Sequence, residues 1–202
     1  TPAAAADLLL SLPSAGGSAE HGESLAAWRA GARRSGALRA GSVTGLDHFP
    51  GTVFRQPFLT VEADRLAARL GLSELDWYNV YPGDRVRAVL AGAVGADLSD
   101  PEVFAAAASR LRTAAEVDLA GRTPYYRLAF RMSTAGDRRD LVVELADSYR
   151  TTGWMGAQAV RAVLAGQVPS GVHFAADVLD PAATVTALHR SGLISDTEDG
   201  AL

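Results

Sequence analysis

Two runs of alternating side chains, residues 125–133 and 139–146, constrain this chain more than any other feature. Large apolar side chains recur at every second position, which is the period of a strand. Tyr126, Leu128, Phe130 and Met132 fall on one side of the first run, to be matched by Leu141, Val143 and Leu145 of the second. The break between them, Ala135-Gly136-Asp137-Arg138, has turn chemistry. The two runs are therefore predicted to pair as an antiparallel hairpin.

Helical signals surround this hairpin. Residues 2–12 read as a short Ala/Leu helix stopped by Pro13, with a Gly/Ser loop over 14–22. Residues 23–33 fit a helix through Leu25, Trp28 and Ala32, or a strand through Leu25, Ala27 and Arg29. A weak strand or short helix over 37–43, a turn over 47–51 and a short strand over 52–57 follow. Thr60 has the chemistry of an N-cap, for a helix whose apolar face would be Leu66, Leu70 and Leu72 and which stops near Gly71. Residues 75–80 read as a short aromatic strand, and 84–94 as a helix with Val86, Val89, Leu90 and Ala93 inward. Asp100-Pro101-Glu102 opens a helix to about Leu119, with Val103, Ala107, Leu111, Ala114 and Val117 inward and Gly121 at its end. After the hairpin, Thr151 or Thr152 caps a helix through Leu164, closed by Gly166 and Pro169. Asp180-Pro181 starts a last helix over 182–189, ended by Gly192, and an acidic tail follows. The order predicts an α+β fold: an antiparallel-rich mixed sheet with helices mainly on one face. One domain covers 1–193, and 194–202 is the tail.

Composition removes whole classes of chemistry. The 202 residues contain no Cys, which excludes disulfides, thiolate zinc sites, Fe–S clusters and a cysteine nucleophile. They contain no Lys either, all 19 basic residues being Arg, so Schiff-base chemistry and a P-loop lysine are excluded. A net charge of −4 argues against nucleic acid as a partner. No apolar run approaches the roughly 18 residues that span a bilayer. The first residue is Thr1, which suggests a processed form or a fragment. The opening stretch has no basic n-region and is interrupted by Asp7, so it is not expected to be a signal peptide, and the cytoplasm is the default location.

Chemistry-bearing motifs are sparse. G-x-G-x-x-G, G-x-S-x-G and H-E-x-x-H are absent, so no complete Rossmann unit and no cofactor site are expected in this chain. The four histidines, His21, His48, His173 and His189, lack metal-ligand spacing, so no metal is expected. His48, in a turn before a strand, is either a surface turn residue or a contact to a substrate anion, and His173 reads as a packing residue. Trp77, Tyr78 and Tyr81 form an aromatic cluster that either packs or lines a pocket with polar tips inward. Glu62, Asp64, Asp97 and Asp100 sit at helix starts, where the macrodipole accounts for them. Residues 147–153 join a strand to a helix N-terminus, whose free N–H groups and dipole suit a carboxylate or phosphate, with Arg150 as a bidentate anion contact. No catalytic residue can be assigned.

At that junction the chain resembles a known family. Ser148-Tyr149-x-x-Thr152-Gly153, the Ala-rich helix ending Ala162-Val163-Leu164-Ala165-Gly166, Pro169-x-Gly171-Val172, Asp180-Pro181 and Leu188-x-x-x-Gly192 resemble the C-terminal region of saccharopine dehydrogenase-like reductases. The opening Pro2-Ala3-Ala4-Ala5-Ala6-Asp7-Leu8-Leu9 resembles the stretch after the nucleotide-binding half in bacterial members. Residues 31–38 resemble their S-x-G-T-type segment, with Ala37 where the family has Thr. The resemblance implies a two-domain NAD(P)-dependent oxidoreductase whose N-terminal Rossmann domain is missing here. This chain would then be the substrate-binding half and homodimer interface for a small-molecule substrate. Tyr149, Arg150, Thr152, Tyr78 and His48 are the expected substrate-facing residues. The contrasting class is a stand-alone ligand-binding or structural dimerisation domain without redox activity, and a G-x-G-x-x-G upstream in the reading frame discriminates between them.

Overall fold

The structure, a computed structural model, describes residues 2–10, 12 and 22–196. The expected loop over 14–22 lies outside the described residues except for Gly22, and the tail lies outside them from 197 on. The fold is α+β, as the sequence predicts, with its strands distributed over three antiparallel sheets. The chain divides into two compact units, Thr1–Arg122 and Thr123–Leu202, with the boundary inside the stretch drawn as one domain over 1–193.

The first unit is organised by β5 (Thr52–Thr60). The strand pairs with β4 (Gly41–Thr44) along its first half, with β1 (Gly22–Ser24) at its end, and with β7 (Tyr78–Pro82) through its middle. Pro57 sits inside this strand without breaking it. Leu25 N donates to Pro57 O (3.1 Å), so the proline nitrogen faces the same edge, in the gap between β4 and β1 where no ladder bond is needed. A second sheet pairs β2 (Ala27–Arg29) with β3 (Ala32–Arg34) and β6 (Glu74–Leu75), which settles residues 23–33 as strands.

Two cores hold the unit. In the first, Tyr81 packs with Val86, Leu90 and Ala93 of α3 (Asp84–Ala93), with Ala107, Leu111 and Ala114 of α4 (Pro101–Asp118), and with Leu9 of α1 (Pro2–Leu10). In the second, Trp28 and Leu59 pack against Ala63 and Ala67 of α2 (Val61–Arg69). Thr60 caps α2 as predicted, its hydroxyl accepting from Ala63 N at 3.0 Å. The predicted apolar face of α2 is wrong: Leu66 and Leu70 are exposed, and two alanines face inward because they let the helix axis approach the sheet more closely. Val117 of α4 likewise points to solvent.

The second unit contains the predicted hairpin. Strands β8 (Tyr126–Ser133) and β9 (Arg138–Leu145) pair Tyr126 with Leu145, Leu128 with Val143 and Phe130 with Leu141, closed by Thr134 N donating to Asp137 O at 2.9 Å. Residues 194–196, expected as the start of a tail, form β10 (Ile194–Asp196) on the other side of β9. Val142 is 2 % exposed, whereas Tyr126 is 49 % exposed and Met132 53 %. Helices α5 (Ser148–Leu164), α6 (Ala175–Val178) and α7 (Pro181–Ser191) complete the unit. Gly192, left-handed at φ 69°, ends α7 as predicted.

Candidate functional site

A groove of about 560 Å³ opens in the first unit, within the range of small-molecule sites. Its walls are apolar: Leu25 and Leu38 from the loops around β2–β4, Phe54 from β5, and Leu90 and Val94 from α3 and its end. Strand alternation places Phe54 and Gln56 on the same face of β5, toward the first core. Gln56 is the polar group of this lining. It is buried, and its Nε2 donates to Ser24 Oγ at 3.1 Å, which fixes the amide plane. Two guanidinium groups complete the lining. Arg87 is bound to Asp84 one helical turn away at 3.3 Å, and Arg39 has no carboxylate partner among the described residues. An apolar trough with a buried amide and two cations suits a small molecule with an apolar body and a carboxylate or other anionic end.

Tyr78, expected to face substrate, lies elsewhere. It pairs with Pro57 on the opposite face of β5 from Gln56, and the Arg55 guanidinium stacks 4.9 Å above its ring. Burial, followed by the nearby Asp76 carboxylate, raises its pKa, while Arg55 and Arg29 pull the other way. Arg29 is itself bound to Asp76 at 2.6 Å. The predicted aromatic cluster therefore disperses: Trp77 joins the Trp28 core, Tyr81 the α3–α4 core, and Tyr78 carries Arg55. The Tyr81 hydroxyl is buried without a hydrogen-bond partner among the described residues, and burial pushes its pKa well above the phenol range.

His48 occupies the turn between β4 and β5, with a left-handed φ of 68°. Thr52 to Pro57 spans about 17 Å at the strand rise, so His48 and Tyr78 belong to opposite ends of β5. His173 is exposed in the segment between α5 and α6.

Tyr149, Arg150 and Thr152 fall within the first five residues of α5, all three exposed, but the predicted cap is corrected. Helix α5 starts at Ser148, and its N-cap is Asp147. One carboxylate oxygen of Asp147 accepts from Tyr149 N (2.8 Å) and Arg150 N (3.0 Å). A carboxylate is the stronger acceptor, so the threonines lose the competition. Thr151 and Thr152 instead donate their hydroxyls to Asp147 O and Ser148 O, each at 2.9 Å. The N–H groups invoked for an anion are thus already occupied by one.

The same device recurs. Asp100 caps α4, Asp180 caps α7, and Asp118 accepts from Val86 N at 2.9 Å in the first turn of α3. With Thr60 on α2, every one of these helix starts is filled by a side-chain oxygen, four of them carboxylates. A dinucleotide pyrophosphate needs an open helix start behind a glycine turn, and these residues do not fit one. Among the described residues no three His, Cys, Asp or Glu side chains converge as a metal site requires, and no helix is long and apolar enough to cross a membrane.

Sequence reasoning did not single out Arg39, Gln56 and Arg87, which line the groove. The only local signal was Gln56, a lone uncharged polar residue in the run Val53 to Leu59. No protein-family model, no curated protein and no solved structure matches this chain.

Proposed function

We propose that this chain is the substrate-binding and dimerisation part of an NAD(P)-dependent oxidoreductase of the saccharopine dehydrogenase-like kind, working with a Rossmann domain not contained in these 202 residues. The observation that carries the reading is the groove: apolar walls, the buried Gln56 amide and the Arg39 and Arg87 guanidiniums form a receptor for a small carboxylate with an apolar body. The capped helix starts agree with a division of labour in which the nicotinamide cofactor is held elsewhere. In this reading Tyr149, Arg150 and Thr152 act through exposed side chains and not through the N–H groups of α5.

Calorimetric titration tests it. Amino and oxo acids with aliphatic side chains are expected to bind the 202-residue chain, and the Arg39→Ala/Arg87→Ala double variant to bind them about tenfold or more weakly, the loss expected for charge-assisted contacts. NADH and NADPH are expected to show no saturable binding tighter than about 100 μM, on the order of −5.5 kcal/mol. Acid binding that ignores both arginines removes the groove as the site. One-site NADPH binding overturns the assignment of the cofactor to another domain.

A further inference from the structure

The outer edge of β8 points to a second copy of this chain. We propose that two copies pair β8 against β8 antiparallel about a two-fold axis through Phe130, joining two three-stranded sheets into one of six. The inference rests on the dimerisation part of the function proposed above and specifies its surface.

Four observations lead there. The sheet order is β10-β9-β8, so β8 is an eight-residue edge strand that no other strand pairs among the described residues. Six of its eight residues are exposed, including Ala129 on the face where its cross-strand partner Val142 is buried. Its large side chains Phe130 and Met132 are exposed, an apolar edge that natural sheets normally blunt or pair. Its two cations are drawn toward β9: Arg127 Nε bonds Glu144 at 3.0 Å and Arg131 Nη2 bonds Asp140 at 3.0 Å, so neither leaves a bare charge at the edge.

The register follows from parity and charge. Antiparallel partners share a face, so a residue must lie on the axis. Ala129 on the axis would set Arg127 opposite Arg131, a like-charge pair that destabilises a sheet. Leu128 on the axis would leave Met132 opposite Pro124, outside the strand. With Phe130 on the axis, Leu128 meets Met132, Arg127 meets Ser133, Arg131 meets Ala129, and the two Phe130 rings meet each other. Every strand residue from 127 to 133 then has a partner, and no like charges are opposed.

The test uses the full chain and its lack of cysteine. Light scattering is expected to give twice the chain mass of 21.0 kDa. Phe130→Cys places two thiols within the roughly 4.4–6.8 Å Cα separation of a disulfide, so mild oxidation is expected to give a covalent dimer on a non-reducing gel. Ala129→Cys, diagonal across the axis at about 7–8 Å or more, is expected not to. Met132→Asp changes a side chain already in solvent, so it should fold, by circular dichroism, yet dimerise about tenfold or more weakly, because a carboxylate replaces the apolar cross-strand partner of Leu128 twice in each dimer. A monomeric wild type overturns the dimerisation reading and this interface together. A wild-type dimer that Phe130→Cys fails to cross-link, or that a folded Met132→Asp still forms at full strength, overturns the interface alone. Cross-linking through Ala129→Cys in preference to Phe130→Cys overturns the register.

Discussion

Gly83→Ala is expected to destabilise the chain by about 3 kcal/mol, combining backbone strain with the loss of a charged helix cap. Gly83 has φ 103° and ψ 146°, a conformation that residues with a Cβ avoid. A Cβ there would also collide with the Asp118 carboxylate. That carboxylate crosses from the end of α4 to accept from Arg85 N (3.4 Å) and Val86 N (2.9 Å), standing in for the cap that glycine cannot supply. Displacing it orphans the first turn of α3. Asp118→Ala, which removes the cap without the strain, is expected to cost about 1–2 kcal/mol. Urea unfolding followed by circular dichroism measures both; a Gly83→Ala protein no less stable than Asp118→Ala would show that the backbone and the collision matter little.

Leu111→Ala is expected to cost about 2–5 kcal/mol, the transfer term plus the cavity. Leu111 is almost wholly buried and belongs to the cluster that ties α4 to Leu9 of α1 and Leu90 of α3, so the void has rigid walls on three helices and little means of collapse. Val117→Ala, six residues along the same helix but exposed, should stay within about 0.5 kcal/mol of wild type. Equal losses at the two positions would refute the burial assigned to α4.

The contrast between Leu111 and Val117 also marks how far the sequence can be read. Signals confined to a few neighbouring residues were legible: the Thr60 cap, the Pro101 and Pro181 helix starts, the Gly192 stop and the hairpin turn all depend on chemistry within one turn of chain. What failed depended on competition or on distance. The start of α5 was misplaced because Asp147, Thr151 and Thr152 can all cap, and only geometry shows that the carboxylate wins. The inward face of α2 was misassigned because hydrophobicity favoured Leu66 and Leu70, whereas close approach to Trp28 and Leu59 favours Ala63 and Ala67. Strands of three residues, as in β1 to β3, are too short for any period to register. Alternation in the hairpin defined two faces but carried no information on which residue would be buried, and it is Val142. The groove was invisible for the plainest reason: Arg39, Gln56 and Arg87 come from three separate segments, and none stands in a motif.

The strand registers also imply an order of assembly. The hairpin β8–β9 zips from Ser133 and Arg138, neighbours across a four-residue turn, and each further pair closes an only slightly longer loop. By contrast, β1 meets β5 through Gly22 and Thr60, and β2 meets β6 through Trp28 and Leu75, so much longer stretches of chain must be ordered before any bond forms. Loop entropy is lost before such contacts return anything, which makes non-local pairing the slow step. The second unit thus presents its edge strand early, while β5 still lacks β1. In pulse-labelled hydrogen exchange during refolding, amides of β9 are expected to be protected before those of β1; simultaneous protection of both would mean that the two units fold in a single concerted step.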